Sequence, residues 1–316
     1  MKIAVLGAGA MGSVFGAHLA LAGHDVTLVD VWREHMEAVA AGGLELCTPE
    51  GESRIVRLGA VYDPSLLEPV ELVIVLTKAF AGAEALRSIA HAVTPETWVV
   101  TVQNGLGNDR RLAEVIGAER VVPGTTTVGA EQQGPGAVTM SRSTAARASV
   151  THLGPPRTVT GLPAGVRAIA ATLTEAGLPT EALDSADVVI WTKLALAGPM
   201  GPVTALLRRT VIDVATDEHA SALIRALFDE IIEVAAATGV VLDREAVWEH
   251  ALETFHGVGP HITSMAADVL AGRRTEIDAF CGEVARLGAE HGVPAPVNRS
   301  VWQALRAIEA TYDRAL

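Results

Sequence analysis

Residues 1–16, MKIAVLGAGAMGSVFG, decide how the chain is read. Residues 3–6 are a short apolar run with the texture of a strand, and residues 11–21 continue as an apolar helix. Between them Gly7, Gly9 and Gly12 stand at G-x-G-x-x-G spacing. In a dinucleotide-binding turn the first glycine permits the sharp bend and the second lets the backbone approach a pyrophosphate. The third lets the helix lie close to the strand, and the helix N-terminus receives the negative charge. The triplet alone is a weak signal. Its place between strand and helix strengthens it, as does a second apolar run, 26–29, that ends in Asp30. An acidic residue about 20 positions beyond the glycines is placed to hold adenosine ribose hydroxyls. Gly7, Ala8, Gly9, Ala10, Met11, Gly12 and Asp30 are therefore read as contacts for a nicotinamide or flavin dinucleotide.

The 316 residues suit two domains, with 49% hydrophobic and 19% charged residues for a large core. A net charge of −13 argues against nucleic acid or an anionic membrane surface as partner, since both reward clustered Lys and Arg. The first strand is expected to begin at the N-terminus rather than follow a leader. No run of 18 uninterrupted apolar residues occurs, so no membrane span is expected. Cys47 and Cys281 show neither metal-ligand nor disulfide spacing and are read as core or subsurface residues. The ten histidines have no H-x-x-x-H spacing, and no metal site is proposed. The compartment expected is the cytoplasm.

Apolar, β-branched runs appear at 2–6, 25–29, 54–58, 72–76, 97–102 and 120–123, with helical patterns such as 34–41 and 81–93 between them. That alternation predicts a parallel sheet with helices on both faces. Residues 137–140 and 148–153 have the look of a late β-ribbon behind Gly134-Pro135-Gly136. A helix is expected from 184, capped by Asp184 or Ser185, and everything beyond reads as helical. Leu223, Ile224, Leu227, Phe228, Ile231 and Ile232 recur at helical spacing. Thr275-Glu276-Ile277-Asp278 fits a capping box. The fold class is thus α/β: a Rossmann-type N-terminal domain over 1–183 followed by an all-helical domain over 184–316.

At this point the chain resembles the ketopantoate reductases (2-dehydropantoate 2-reductases) over nearly its whole length. The resemblance rests on Gly7-Ala8-Gly9-Ala10-Met11-Gly12, Thr77-Lys78-Ala79, Gln103-Asn104-Gly105 and Gly124-Thr125-Thr126-Thr127. It continues through Trp191-Thr192-Lys193-Leu194, Ser264-Met265 and Arg274-Thr275-Glu276-Ile277-Asp278. It implies a helical domain of the 6-phosphogluconate dehydrogenase C-terminal type. It also implies hydride transfer from a reduced nicotinamide, NAD or NADP, to a 2-keto acid in pantothenate biosynthesis. By the resemblance Lys193 is the general acid, Glu276 supports it and contacts substrate, and Asn104 and Ser264 hold substrate groups. Lys78 and Asn104 are assigned to the cofactor side, and relatives of this kind suggest a homodimer.

Local chemistry agrees in kind. Reduction of a ketone builds negative charge on oxygen, which calls for a cation or proton donor. Each residue also has a plainer reading. Lys193 could lay its stem along apolar surface, and Glu276 could simply favour a helix N-terminus. Asn104-Gly105 could be an ordinary turn, and Ser264 a polar residue near a helix start. Residues 240–262, His256 and His261 among them, could line the pocket and bear on specificity; either histidine could approach substrate, although surface or loop positions are expected.

Two departures stand out. Members of the family commonly carry asparagines four and eight residues after the lysine, where this chain has Ala197 and Gly201. Pro199 is also expected to bend that helix. The pocket should therefore be larger and less polar. The second departure is Asp30-Val31-Trp32-Arg33 after the second strand, where a basic residue can receive the 2′-phosphate of NADPH. A carboxylate there favours NADH unless Arg33 folds back. Both departures point to the alternative of an NAD-dependent D-2-hydroxyacid dehydrogenase acting on a bulkier 2-keto acid. A non-catalytic dinucleotide sensor is the reading from another class.

Overall fold

In the computed structural model, which describes residues 1–48, 50–141 and 150–313, the first strand shows why the N-terminal half folds as it does. β1 (Lys2–Leu6) exposes its first residue and buries the next four. Ile3 and Val5 enter one core while Ala4 and Leu6 enter another, the alternation of a strand covered on both faces. α1 (Ala10–Leu21), β2 (Asp25–Val29), α2 (Arg33–Gly42), β3 (Leu44–Cys47), β4 (Ser53–Val56) and β5 (Gly59–Val61) follow. Next come β6 (Val70–Val75), α3 (Gly82–Ser88), β7 (Val93–Thr101), α4 (Asn108–Ile116) and β8 (Val121–Thr126). β9 (Ala130–Gly134), β10 (Ala137–Met140), β11 (Thr151–Leu153), α5 (Ala164–Glu175) and β12 (Thr180–Ala182) complete the half.

An eight-stranded sheet runs β12-β11-β8-β7-β6-β1-β2-β5, parallel throughout except where β11 meets β8. α1 and α5 bury Phe15, Val166 and Ile169 in one core, and α3 and α4 bury Leu86 and Leu112 in the other. A second sheet, β4-β3-β10-β9, adds Leu44, Leu46, Val56 and Val138 to the α1 side.

Several expectations need correction. The run at 54–58 is β4 of the small sheet, and β5 takes the edge of the large one. The late ribbon does not form: β10 pairs with β9 and β3, whereas β11 pairs with β8 and β12. Residues 148–149 of that ribbon lie outside the described residues. The helix read at 81–93 stops at Ser88, and a single tight turn follows before β7 starts at Val93. Pro95 lies just beyond and biases Thr94 away from helical backbone.

The helical half comprises α6 (Asp187–Leu207), α7 (Val211–Thr216), α8 (Glu218–Ala237), α9 (Arg244–Gly257), α10 (Ser264–Leu270), α11 (Cys281–Glu290) and α12 (Pro296–Glu309). α6 starts at Asp187 rather than beside Asp184 or Ser185. Leu183 still donates its backbone N–H to Leu153, so the chain is extended there and needs the next residues to turn. α6 is long and apolar enough to cross a membrane by length and composition, but it packs against α8, α9, α10 and α12 and buries Trp191, Leu194, Met200 and Val203. Helical assignment continues through Pro199 and Pro202 to Leu207. The apolar stripe of α8 is buried at Ile224, Leu227, Phe228, Ile231 and Ile232. The capping box at Thr275 does not form. Thr275 accepts the Ile277 N–H at 3.2 Å, Asp278 turns to the Trp302 indole N–H at 2.8 Å, and α11 begins at Cys281. Two compact units result, Met1–Gln103 with Asn108–Ala186, and Asn104–Gly107 with Asp187–Leu316. The four-residue loop Asn104–Gly107 thus belongs with the helical unit.

Candidate active site

In the first unit the glycine turn is built by close approach. Gly7 has φ +90°, and a Cβ there would lie 2.5 Å from the Thr77 backbone nitrogen. A Cβ on Gly12 would overlap the Gly7 carbonyl. Gly9 differs from both, with open space wherever its Cβ would point. It occupies the N-cap of α1 with no side-chain cap, so the first-turn N–H groups, among them those of Ala10 and Met11, remain for an anionic ligand. The turn therefore fits a dinucleotide pyrophosphate.

Asp30 stands at the end of β2 with Oδ2 accepting the Ala8 N–H at 2.7 Å and Oδ1 the Trp32 N–H at 2.8 Å. Its carboxylate is fixed beside the glycine turn. Arg33 does not fold back onto it. The guanidinium lies over the Tyr62 ring at 4.0 Å and 3.7 Å from Glu37. Lys78 is half-buried just past the carboxyl end of β6. The neighbouring Thr77 is held by Gln103, whose Nε2 donates to the Thr77 carbonyl at 2.7 Å. Gln103 had no role of its own in the sequence reading; only the fold brings it across to Thr77.

In the second unit Lys193, on α6, donates from Nζ to Asn104 Oδ1 at 2.8 Å. Burial lowers the lysine's pKa to about 8, against the charge of Glu276, which raises it. The loop bearing Asn104 is fixed by the segment bearing Glu276. Leu106 donates its N–H to the Ala279 carbonyl at 2.8 Å, and a Cβ on Gly105, at φ +82°, would collide with that same carbonyl. α12 secures the segment in turn. Glu309 accepts the Thr275 N–H at 2.7 Å and its hydroxyl at 2.6 Å, and Trp302 takes Asp278. Glu276 is buried between these anchors.

Asn104 and Glu276 border a cavity of about 250 Å³ within this unit. Ser264, the exposed first residue of α10, lies on its wall, as does His261. Met200, Val211, Phe255, Val258, Met265 and Phe280 make most of the remaining surface apolar. Ala197 and Gly201 line it too, and a Cβ on Gly201 would meet only the Met265 Cβ at 3.9 Å. A side chain at Gly201 would project into open volume. His256 is exposed and does not line the cavity. His261 is an exposed loop residue, as expected, that also reaches the cavity wall.

An α/β unit with a dinucleotide turn, followed by a helical unit that sets a cation beside an amide and a carboxylate, is the layout of a nicotinamide-dependent oxidoreductase. The sequence profile described as ketopantoate reductase PanE/ApbA matches residues 3–154, and its C-terminal counterpart matches 186–309. The chain belongs to this family and is an oxidoreductase acting on CH–OH or keto groups with a nicotinamide cofactor. It is 30% identical to a 2-dehydropantoate 2-reductase of Halobacterium salinarum over 97% of this chain and 98% of that one. It is likewise 30% identical to that of Pyrococcus horikoshii, over 98% of each. Among solved structures it is similar to D-mandelate dehydrogenase in its ternary complex with NADH and anilino(oxo)acetate. There the TM-score is 0.91 with 28% identity, covering 99% and 100% of the two chains. A PanE/ApbA family ketopantoate reductase from Ralstonia eutropha JMP134 gives 0.88, also at 28%, with 99% and 100% covered.

Proposed function

We propose that this protein reduces a 2-keto acid carrying a bulky apolar substituent to the 2-hydroxy acid, with NADH as the preferred donor. The observation that carries the reading is the apolar cavity beside Asn104 and Glu276, widened where Ala197 and Gly201 stand. When bound, the reduced nicotinamide supplies the hydride. Lys193 Nζ holds the proton that the substrate oxygen takes up as charge develops there. With a pKa of about 8 it is charged at neutral pH and a stronger acid than an exposed lysine. Asn104 aims the ammonium through its 2.8 Å bond, Glu276 keeps the site electrostatically favourable to the cation, and Ser264 offers a hydroxyl to the substrate carboxylate. On the cofactor side Gly7 to Gly12 receive the pyrophosphate, Lys78 supports it, and Asp30 takes the ribose hydroxyls. The carboxylate of Asp30 supports NADH because a 2′-phosphate beside it is repelled, and Arg33, engaged with Tyr62 and Glu37, gives no compensation.

The similarity to D-mandelate dehydrogenase, described with NADH and anilino(oxo)acetate, supports the same substrate class. A second reading, reduction of ketopantoate itself, is favoured by the full-length 30% relatives named 2-dehydropantoate 2-reductase. Steady-state oxidation of NADH and NADPH against ketopantoate, phenylglyoxylate and branched 2-keto acids separates them. The expected result is NADH-linked turnover highest with the bulky apolar acids. A hundredfold advantage for ketopantoate with NADPH overturns the proposal in favour of the second reading.

A further inference from the structure

His35 is a buried titratable side chain of the first unit that hydride transfer does not use. It is fully enclosed on α2, with the Trp32 ring stacked on it at 4.9 Å between centroids. Its two nitrogens have unambiguous roles. The Gly136 backbone N–H donates to Nδ1 at 2.9 Å, so Nδ1 carries no proton. Nε2 therefore bears the hydrogen of a neutral ring and donates to Ser13 Oγ at 3.2 Å. Ser13 in turn donates to the Ala8 carbonyl at 2.9 Å, and the Ala8 N–H donates to Asp30 at 2.7 Å. One chain of hydrogen bonds thus runs from the β9–β10 turn through His35 and Ser13 to the dinucleotide turn and the carboxylate at the end of β2.

We propose that His35 is a positioning residue for the dinucleotide turn: as a neutral Nε2 donor it fixes Ser13 and the Ala8 peptide, and its protonation in acid weakens binding of the ADP-ribose half of the cofactor. This rests on the dinucleotide reading of the turn. A second proton has no acceptor to meet. Nδ1 faces the Gly136 N–H and, at 3.4 Å, the Gln132 amide nitrogen, whose own hydrogens are committed to the Gly134 and Ala137 carbonyls. Protonation sets donors against donors, and the ring must turn or the β9–β10 turn must move. Ser13 from α1, Gln132 from β9, Gly136 from the turn and Trp32 above the ring bring no charge. Asp30 is the charged group near it and favours the cation, but burial outweighs it and the pKa lies below the ordinary 6.5. The network is therefore intact at neutral pH and is lost only in acid. A histidine that merely filled the core would leave ligand affinity indifferent to its protonation.

The test uses ADP-ribose, which is stable in acid, titrated calorimetrically into the full-length protein from pH 7.5 to 5.0. The wild type is expected to lose affinity severalfold toward the acid end of that range, as His35 takes up a proton. His35→Gln keeps both a donor and an acceptor and is expected to bind within about threefold of wild type at pH 7.5 and to stay flat into acid. Ser13→Ala is expected to bind more weakly at every pH. A flat wild-type profile, or an unchanged slope in His35→Gln, overturns the proposal while leaving the dinucleotide site standing. Failure of the wild type to bind ADP-ribose at any pH overturns the site reading and this inference with it. Imidazole ¹⁵N shifts of the wild type supply a check that needs no variant. The expected ring is Nε2-protonated and neutral at pH 7.5, titrating with the same midpoint as the affinity. An Nδ1–H tautomer, or a midpoint unrelated to binding, contradicts the proposal.

Discussion

In the proposed function the first unit offers its ligand chiefly backbone, with Asp30 and Lys78 beside it, and the second offers side chains. In the glycine turn the decisive features are the +90° φ of Gly7, the absent Cβ of Gly12 against the Gly7 carbonyl, and the uncapped N–H groups of α1. In the helical unit they are the Lys193 ammonium on Asn104, the buried carboxylate of Glu276 and the bare positions Ala197 and Gly201. A backbone site tolerates little substitution where, as at Gly7 and Gly12, an added Cβ lands on the main chain. A side-chain site can be retuned one residue at a time while the fold is kept. The difference teaches where specificity for the cofactor and for the substrate should each be sought.

The largest expected effect separates chemistry from binding. Lys193→Ala should lower kcat by about 10³-fold, within the range typical of a lost general acid, and leave the ADP-ribose dissociation constant unchanged. Retained turnover would remove Lys193 as the proton donor, and loss of both properties would mean that the two sites are not separable. Next, glycines in the two units should answer oppositely to the same change. Gly7→Ala forces a Cβ into left-handed backbone 2.5 Å from Thr77 and should cost about 2–4 kcal/mol, read as a fall in Tm. Gly201→Ala projects into the cavity and should be neutral or slightly stabilising.

The pH dependence sharpens the comparison further. Lys193 donates its proton only while charged, so kcat/KM for reduction should be level below about pH 8 and fall tenfold per unit above it. Glu276 raises the lysine's pKa, so Glu276→Gln should move that limb to lower pH. A limb that stays in place detaches the glutamate from the proton donor. A smaller effect on ligand selection belongs to Asp30→Ala, which should reduce the preference for NADH over NADPH by about tenfold. An unchanged ratio removes the carboxylate from cofactor selection.

How much of this could be read beforehand follows the same division. β1, β2 and the glycine turn were legible because each is specified within about ten consecutive residues. The small sheet was not, since β3 and β10 pair across some ninety positions and neither shows more than a few alternating residues. Lys193, Glu276, Asn104 and Ser264 were picked out through the resemblance. Their local patterns admitted a snorkelling lysine, a helix-favouring glutamate, a turn and a helix start. The arrangement of Glu276 departs from its pattern, because Glu309 and Trp302, both far along the chain, replace the capping box. His35 was invisible for the same reason, its meaning depending on Gly136, 101 residues away.

The most direct test of the account exchanges the two bare positions of α6. The ratio of kcat/KM for phenylglyoxylate to that for ketopantoate should favour phenylglyoxylate in the wild type. In Ala197→Asn/Gly201→Asn it should fall by about a hundredfold, the scale of pocket recognition set by a few contacts. A ratio unchanged by the double substitution, in a protein of unaltered Tm, would contradict the claim that the widened apolar wall selects the substrate.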